Sequence, residues 1–200
     1  MSTQKFLWTG WAAALLFILG TTLLGYLLPD YNAISQTVSE IGKMGSPLYQ
    51  QFQLFSIAVG VLVLLFALSL ISFAKRNGLS VVPGVLLLLG GVAELGLAIF
   101  ASPHPLHNVF GLSQTIPYMA PLFFGILWKS KIKSSFKMVS FLTFALIVLG
   151  IFLNLSPLFA PTLYPLEYYG IVQRFLLFVF YLYLAFVSYN SIFFLRKKTA

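Results

Sequence analysis

Ser39 and Glu40 in one polar stretch and His107 in another supply the side chains of a hydrolytic site. A serine hydroxyl attacks well only when a base takes its proton, and imidazole is the base suited to neutral pH, with a carboxylate to orient it. Ser102, just before the histidine in the chain, is a second candidate hydroxyl. No Gly-x-Ser-x-Gly turn presents either serine, so a membrane-embedded hydrolase or lipid-modifying enzyme using a Ser/His pair stands as the alternative reading. His104 and His107 together raise the question of a metal, which needs at least a third ligand. The nearest carboxylates, Asp30 and Glu40, lie on a different stretch, and Pro105 breaks the helical spacing of the histidines, so no metal is expected. Without cysteine there is no disulfide, no thiolate metal site and no cysteine nucleophile. A phosphate-binding Walker loop, a dinucleotide fingerprint and a His-Glu-x-x-His motif are all missing, and no cofactor is expected.

The segments that carry these groups cannot belong to a water-soluble domain. Of 200 residues, 60% are hydrophobic, 17% aromatic and only 8% charged, a composition that also excludes a disordered chain, a collagen and a disulfide scaffold. A bilayer core about 30 Å thick needs roughly 20 apolar residues in a helix. Six runs of about that length occur, at residues 7–28, 52–74, 81–102, 109–128, 138–159 and 168–195. Irregular backbone cannot face lipid, and none of the runs alternates as a barrel strand does, so they predict an all-α, polytopic bundle of six transmembrane helices forming a single domain. Pro117 and Pro121 predict a kink in the fourth. The first apolar run is too long for a signal peptide and is read as a retained span.

The net charge of +8 is distributed by side. Lys5, Lys75, Arg76, Lys129, Lys131, Lys133, Lys137, Arg196, Lys197 and Lys198 flank the termini and the second and fourth loops. Six spans put all of these on one side, and the positive-inside rule makes it the cytoplasm, with both termini there. The other side carries Lys43 beside Asp30, Glu40 and Glu167. Basic residues scattered over short loops do not form a nucleic-acid surface; the expected partner is membrane lipid.

On the outer side, residues 29–51 form a long polar connection, of the kind that often carries function. Within it Thr37-Val38-Ser39-Glu40 has the spacing of a capping box, and Ser46-Pro47 reads as the cap of the second span. Two ionisable groups, Glu94 and Arg174, fall inside spans, where they are costly unless paired. They lie at similar distances from the outer ends of their helices, roughly 9–12 Å, and a Glu94–Arg174 ion pair is the expected solution. Small residues Gly90, Gly91, Ala98 and Ala101 share the Glu94 side of the third span and predict close approach of another helix. Gln114, Ser113 and Asn154 add polarity at similar depth. The leading reading is a pocket open to the outside, lined by Glu40, Glu94, His107, Gln114 and Arg174, that binds a lipid headgroup or small polar molecule, with Arg174 pairing an anionic group. A purely structural or partner-binding bundle is a further alternative.

Ser35-x-Thr37-x-Ser39-Glu40-x-Gly42 with Pro47 after it, His107 leading into the fourth span, and Gly170-x-x-Gln173-Arg174 opening the sixth resemble the domain of unknown function 998 family. That resemblance covers nearly the whole chain and implies a six-helix prokaryotic membrane protein. Carried over by position it singles out Ser39, Glu40, Gly42, His107 and Arg174, and implies no activity. It also implies an acidic residue after a Phe-Pro at the end of the third span, where this chain has Phe100-Ala101-Ser102-Pro103.

Overall fold

The computed structural model describes residues 6–128 and 134–199, without the side chains of Ser134 and residues 194–199. Lys5, Lys129, Lys131 and Lys133 lie outside the described residues, and so do the side chains of Arg196, Lys197 and Lys198. Every regular element among the described residues is helical: α1 (Thr9–Leu27), α2 (Tyr49–Arg76), α3 (Val82–Ile99), α4 (Pro105–Ser113), α5 (Ala120–Leu127), α6 (Ser134–Leu155) and α7 (Tyr169–Thr199). Six spans are long and apolar enough to cross a membrane, α4 and α5 together making the fourth.

Local chemistry sets the boundaries, and several differ from the sequence expectation. The fourth span starts at Pro105 rather than Val109, because proline is harmless in a first turn and the His104 ring nitrogen Nδ1 accepts the Leu106 N–H at 3.2 Å as a cap. Pro117 has no N–H to continue the ladder, so the span breaks after Ser113 and passes through a tight turn at Pro117–Met119 before α5. Helix α6 ends at Leu155, and Ser156–Leu158 carries the fifth span on as another tight turn to within one residue of the expected Phe159. Ser46 does not start α2: its hydroxyl donates to Ile41 O at 2.6 Å and accepts from Leu48 N at 3.2 Å, tightening the turn ahead of Tyr49.

The spans close a ring in chain order. Helix α1 packs on α2 and α7, α2 on α3, α3 on α4 and α5, α5 on α6, and α6 on α7. Glycines admit the closest approaches: a Cβ on Gly90 would meet Pro117 at 2.7 Å and one on Gly91 would meet Leu64 at 2.7 Å, so the small-residue face of α3 receives α2 on one side and the fourth-span break on the other. Inside the ring, aromatic side chains fill the middle, with Phe17 stacked on Tyr181 at 3.8 Å and Phe124 edge-on to Trp128 at 4.8 Å.

The ends of the bundle are unequal. At one, Asn77, Gly78 and Leu79 make a short turn between α2 and α3, over which the buried Trp128 ring donates its Nε1–H to Ser80 O at 2.8 Å. At the other, residues 28–48 fold across the bundle mouth. Substituting Trp128→Phe keeps the ring stacking and leaves the Ser80 carbonyl unpaired; we expect a loss of about 1–3 kcal/mol, read from unfolding titrations in detergent.

Candidate functional site

Arg174 organises the loop end. Its guanidinium donates to Ala33 O at 2.8 Å, Gln36 O at 2.8 Å and Gly170 O at 3.1 Å, and to the Tyr31 hydroxyl. Tyr31 in turn donates to Thr37 O at 2.8 Å, and its ring lies 5.5 Å from the guanidinium carbon. Burial raises the Tyr31 hydroxyl above its ordinary value of 10.0 in spite of the neighbouring guanidinium, which keeps it protonated and able to donate. One residue earlier, Gln173 Oε1 accepts the Val38 N–H at 2.8 Å. Three residues before that, Gly170 has no side chain because none fits: a Cβ would stand 2.6 Å from Ala33 O, 2.8 Å from Ile34 O and nearer still to Gln36 O. The first turn of α7 therefore grips the loop by backbone contact, closed by Ile171 N–H to Ile34 O at 3.0 Å.

The loop is stiffened from within by Glu40. Its carboxylate accepts the Thr37 N–H and the Thr37 hydroxyl, both at 2.8 Å, and the Gln36 side-chain N–H at 3.3 Å. This is the reach-back of a capping box on the short helical turn Val38–Gly42. Burial acts to raise the Glu40 carboxyl, but the hydrogen bonds from Thr37 and Gln36 and the charge of Lys43 outweigh it and hold the group below its ordinary 4.5.

Beneath the loop lies a cavity of about 290 Å³, near the lower end of the roughly 300–1,000 Å³ usual for small-molecule sites. The expected Glu94, His107 and Gln114 line it together, along with Ser39 and Ser102. Glu40 and Arg174 do not. Their neighbours Ser39 and Gln173 take the lining positions, while the two charged groups face the loop backbone. Asn154 also lines the cavity; Ser113 is turned away, its hydroxyl donating to Val109 O at 2.8 Å. Gln53, Ser56, Thr115 and Tyr118 complete the polar lining and were not singled out from the sequence. For two of them a signal was present: Gln53 and Ser56 are three apart on α2 and share a face.

The expected Glu94–Arg174 ion pair does not form. Glu94 Oε2 accepts from Gln114 Nε2 at 3.1 Å, and the Tyr181 hydroxyl interacts with the same carboxyl. Tyr181 shares the helix face of Arg174 but stands seven residues further along α7, about 10 Å deeper at 1.5 Å per residue. A phenol reaches Glu94 at its own depth, whereas the guanidinium extends upward to the loop carbonyls. The catalytic constellation changes as well. His107 donates from Nδ1 to Phe100 O at 2.9 Å, so a backbone carbonyl, not Glu40, orients the imidazole and leaves Nε2 as the acceptor. Ser39 Oγ lies 3.2 Å from Thr37 Oγ1, Ser102 O accepts from Met44 N at 2.8 Å, and among the described residues neither serine is hydrogen-bonded to His107. No group of three His, Asp or Glu comes together among those residues.

The family model described as Protein of unknown function (DUF998) matches residues 11–189. The chain belongs to this family. Neither the curated proteins nor the solved structures give a match. In this DUF998 protein Gly170, Arg174 and Glu40, of the residues that carried the resemblance, build the loop and its attachment, Ser39, Gly42 and His107 line the space below it, and Gln173 does both.

Gly170→Ala should release the loop, seen as faster hydrogen exchange at residues 33–38 with little change in the middle of the helices. The depressed Glu40 value has a sign: its contribution is present above pH 4.5 and is lost as the pH falls through the lower folded-state value. Glu40→Gln should remove that acid-dependent loosening, followed as exchange at residues 37–40 against pH. With no pair between them, Glu94→Gln and Arg174→Gln should have additive effects on stability, to within about 0.5 kcal/mol.

Proposed function

We propose that this integral membrane protein binds a lipid headgroup or small polar molecule in the cavity under residues 28–48, which faces away from the cytoplasm. The cavity itself carries the reading: polar groups from five spans, most of them half-buried, converge on one space that the protein does not fill. Glu94, His107 and Gln114 are the ligand-contacting residues. Glu40 and Arg174 act as positioning residues through the loop, which replaces the expected pairing of Arg174 with an anion. The asymmetry of basic residues about the spans supports the outward orientation. The hydrolase reading keeps Ser39, Ser102 and His107 around the same cavity but has no Ser–His hydrogen bond to support it.

The test is the material that stays with the protein when it is purified in mild detergent, measured by native mass spectrometry. Wild type should retain a small molecule or lipid, and Ala98→Phe, which places a ring in the cavity, should lose it. His107→Ala should weaken retention about fivefold, the loss of one hydrogen bond; complete loss of a turnover activity in that variant, with binding intact, would favour the hydrolase instead.

A further inference from the structure

We infer that the cavity selects an amphiphile with a positively charged amine head and an apolar tail, an inference that rests on the binding reading above. The argument starts from charge. Among the described residues the ionisable side chains on the cavity wall are Glu94, His107 and the Tyr118 phenol, and no lysine or arginine lines it. Arg174, whose neighbour Gln173 lines the cavity, is hydrogen-bonded to Ala33 O, Gln36 O, Gly170 O and Tyr31, and Lys43 is exposed on the loop outside the lining. Glu94 is therefore a carboxyl at membrane depth that keeps part of its surface on the cavity and whose partners among the described residues, Gln114 and Tyr181, are neutral. Ionisable groups at such depth are paired or hydrated as a rule. A ligand ammonium supplies the missing partner by a charge-assisted hydrogen bond.

Helix α4 stops at Ser113, and its last turn, with Gly111, Leu112 and Gln114, borders the cavity. The carbonyls of Gly111, Leu112, Ser113 and Gln114 are taken by backbone N–H groups of the turn that follows, so Glu94 sets the sign of the charge there. An anion would meet its carboxylate unfavourably. The tail follows from the rest of the wall: Phe17, Phe52, Leu97, Ile151, Leu176 and Leu177, from α1, α2, α3, α6 and α7, form an apolar surround continuous with the polar end.

Three eight-carbon amphiphiles differing only in the head test this on the full-length protein in nonionic detergent: octylamine, octanol and octanoate, each titrated by calorimetry at neutral pH. Octylamine should bind at least about tenfold more tightly than octanol, with octanoate weakest. Glu94→Gln should erase the octylamine advantage and leave octanol binding unchanged. If that variant does not fold, the wild-type order of the three decides alone. Equal affinity for octylamine and octanol would overturn the charge selectivity and leave the cavity reading standing, as would octanoate binding best. Absence of binding by all three, together with the same co-purified material in wild type and Ala98→Phe, would overturn both.

Discussion

A guanidinium within the first turns of a membrane helix must find acceptors, and here Arg174 finds them in the backbone of residues 33 and 36 and in Tyr31. That one commitment orders the loop end of the protein. Loop carbonyls over an apolar bundle would otherwise lack partners, and the cation would lack acceptors; each answers the other. Gly170 permits the contact by removing the Cβ that would strike three loop carbonyls. Gln173 extends it to Val38, and Glu40 braces the turn from the opposite side. A cluster of polar residues that looks like a binding motif in one dimension is thus a clasp in three.

Because the clasp consumes the arginine, the chemistry beneath it takes the opposite polarity from the one first expected. Among the described residues the cavity keeps a carboxyl, an imidazole, a phenol and several amides and hydroxyls, and no lysine or arginine. The kink at Pro117 contributes as much as any side chain. By ending α4 partway across the bundle it turns Gln114 towards Glu94, while Gly90 makes room for the proline ring. His107 is held by the Phe100 carbonyl, which sets its tautomer without an acidic partner.

Much of this was readable in the sequence where the determining physics is local or averaged along the chain. Six apolar runs give six spans because each must satisfy its own backbone hydrogen bonds in lipid, whatever its neighbours. Glu40 four residues into Thr37-Val38-Ser39-Glu40 reaches back to Thr37 because a capping box is closed within one turn. Small residues on α3 accept close neighbours, as expected. The fourth span was misplaced at its start because a histidine cap is a weaker signal than an apolar run, and its proline break was legible as a kink but not as the wall of a cavity.

Composition and period alone therefore determined the number of spans, their helical form and the capping box at residues 37–40, since those depend on neighbours within a few residues or on the bilayer itself. Which groups meet across the bundle was decided only by the tertiary structure. Glu94 and Arg174 stand at similar distances from their helix ends, yet helix rotation, the reach of each side chain and competition from Tyr181 and the loop carbonyls send them to different partners. Pairing between distant segments is settled by three-dimensional competition for hydrogen-bond partners, and a linear pattern does not encode its outcome.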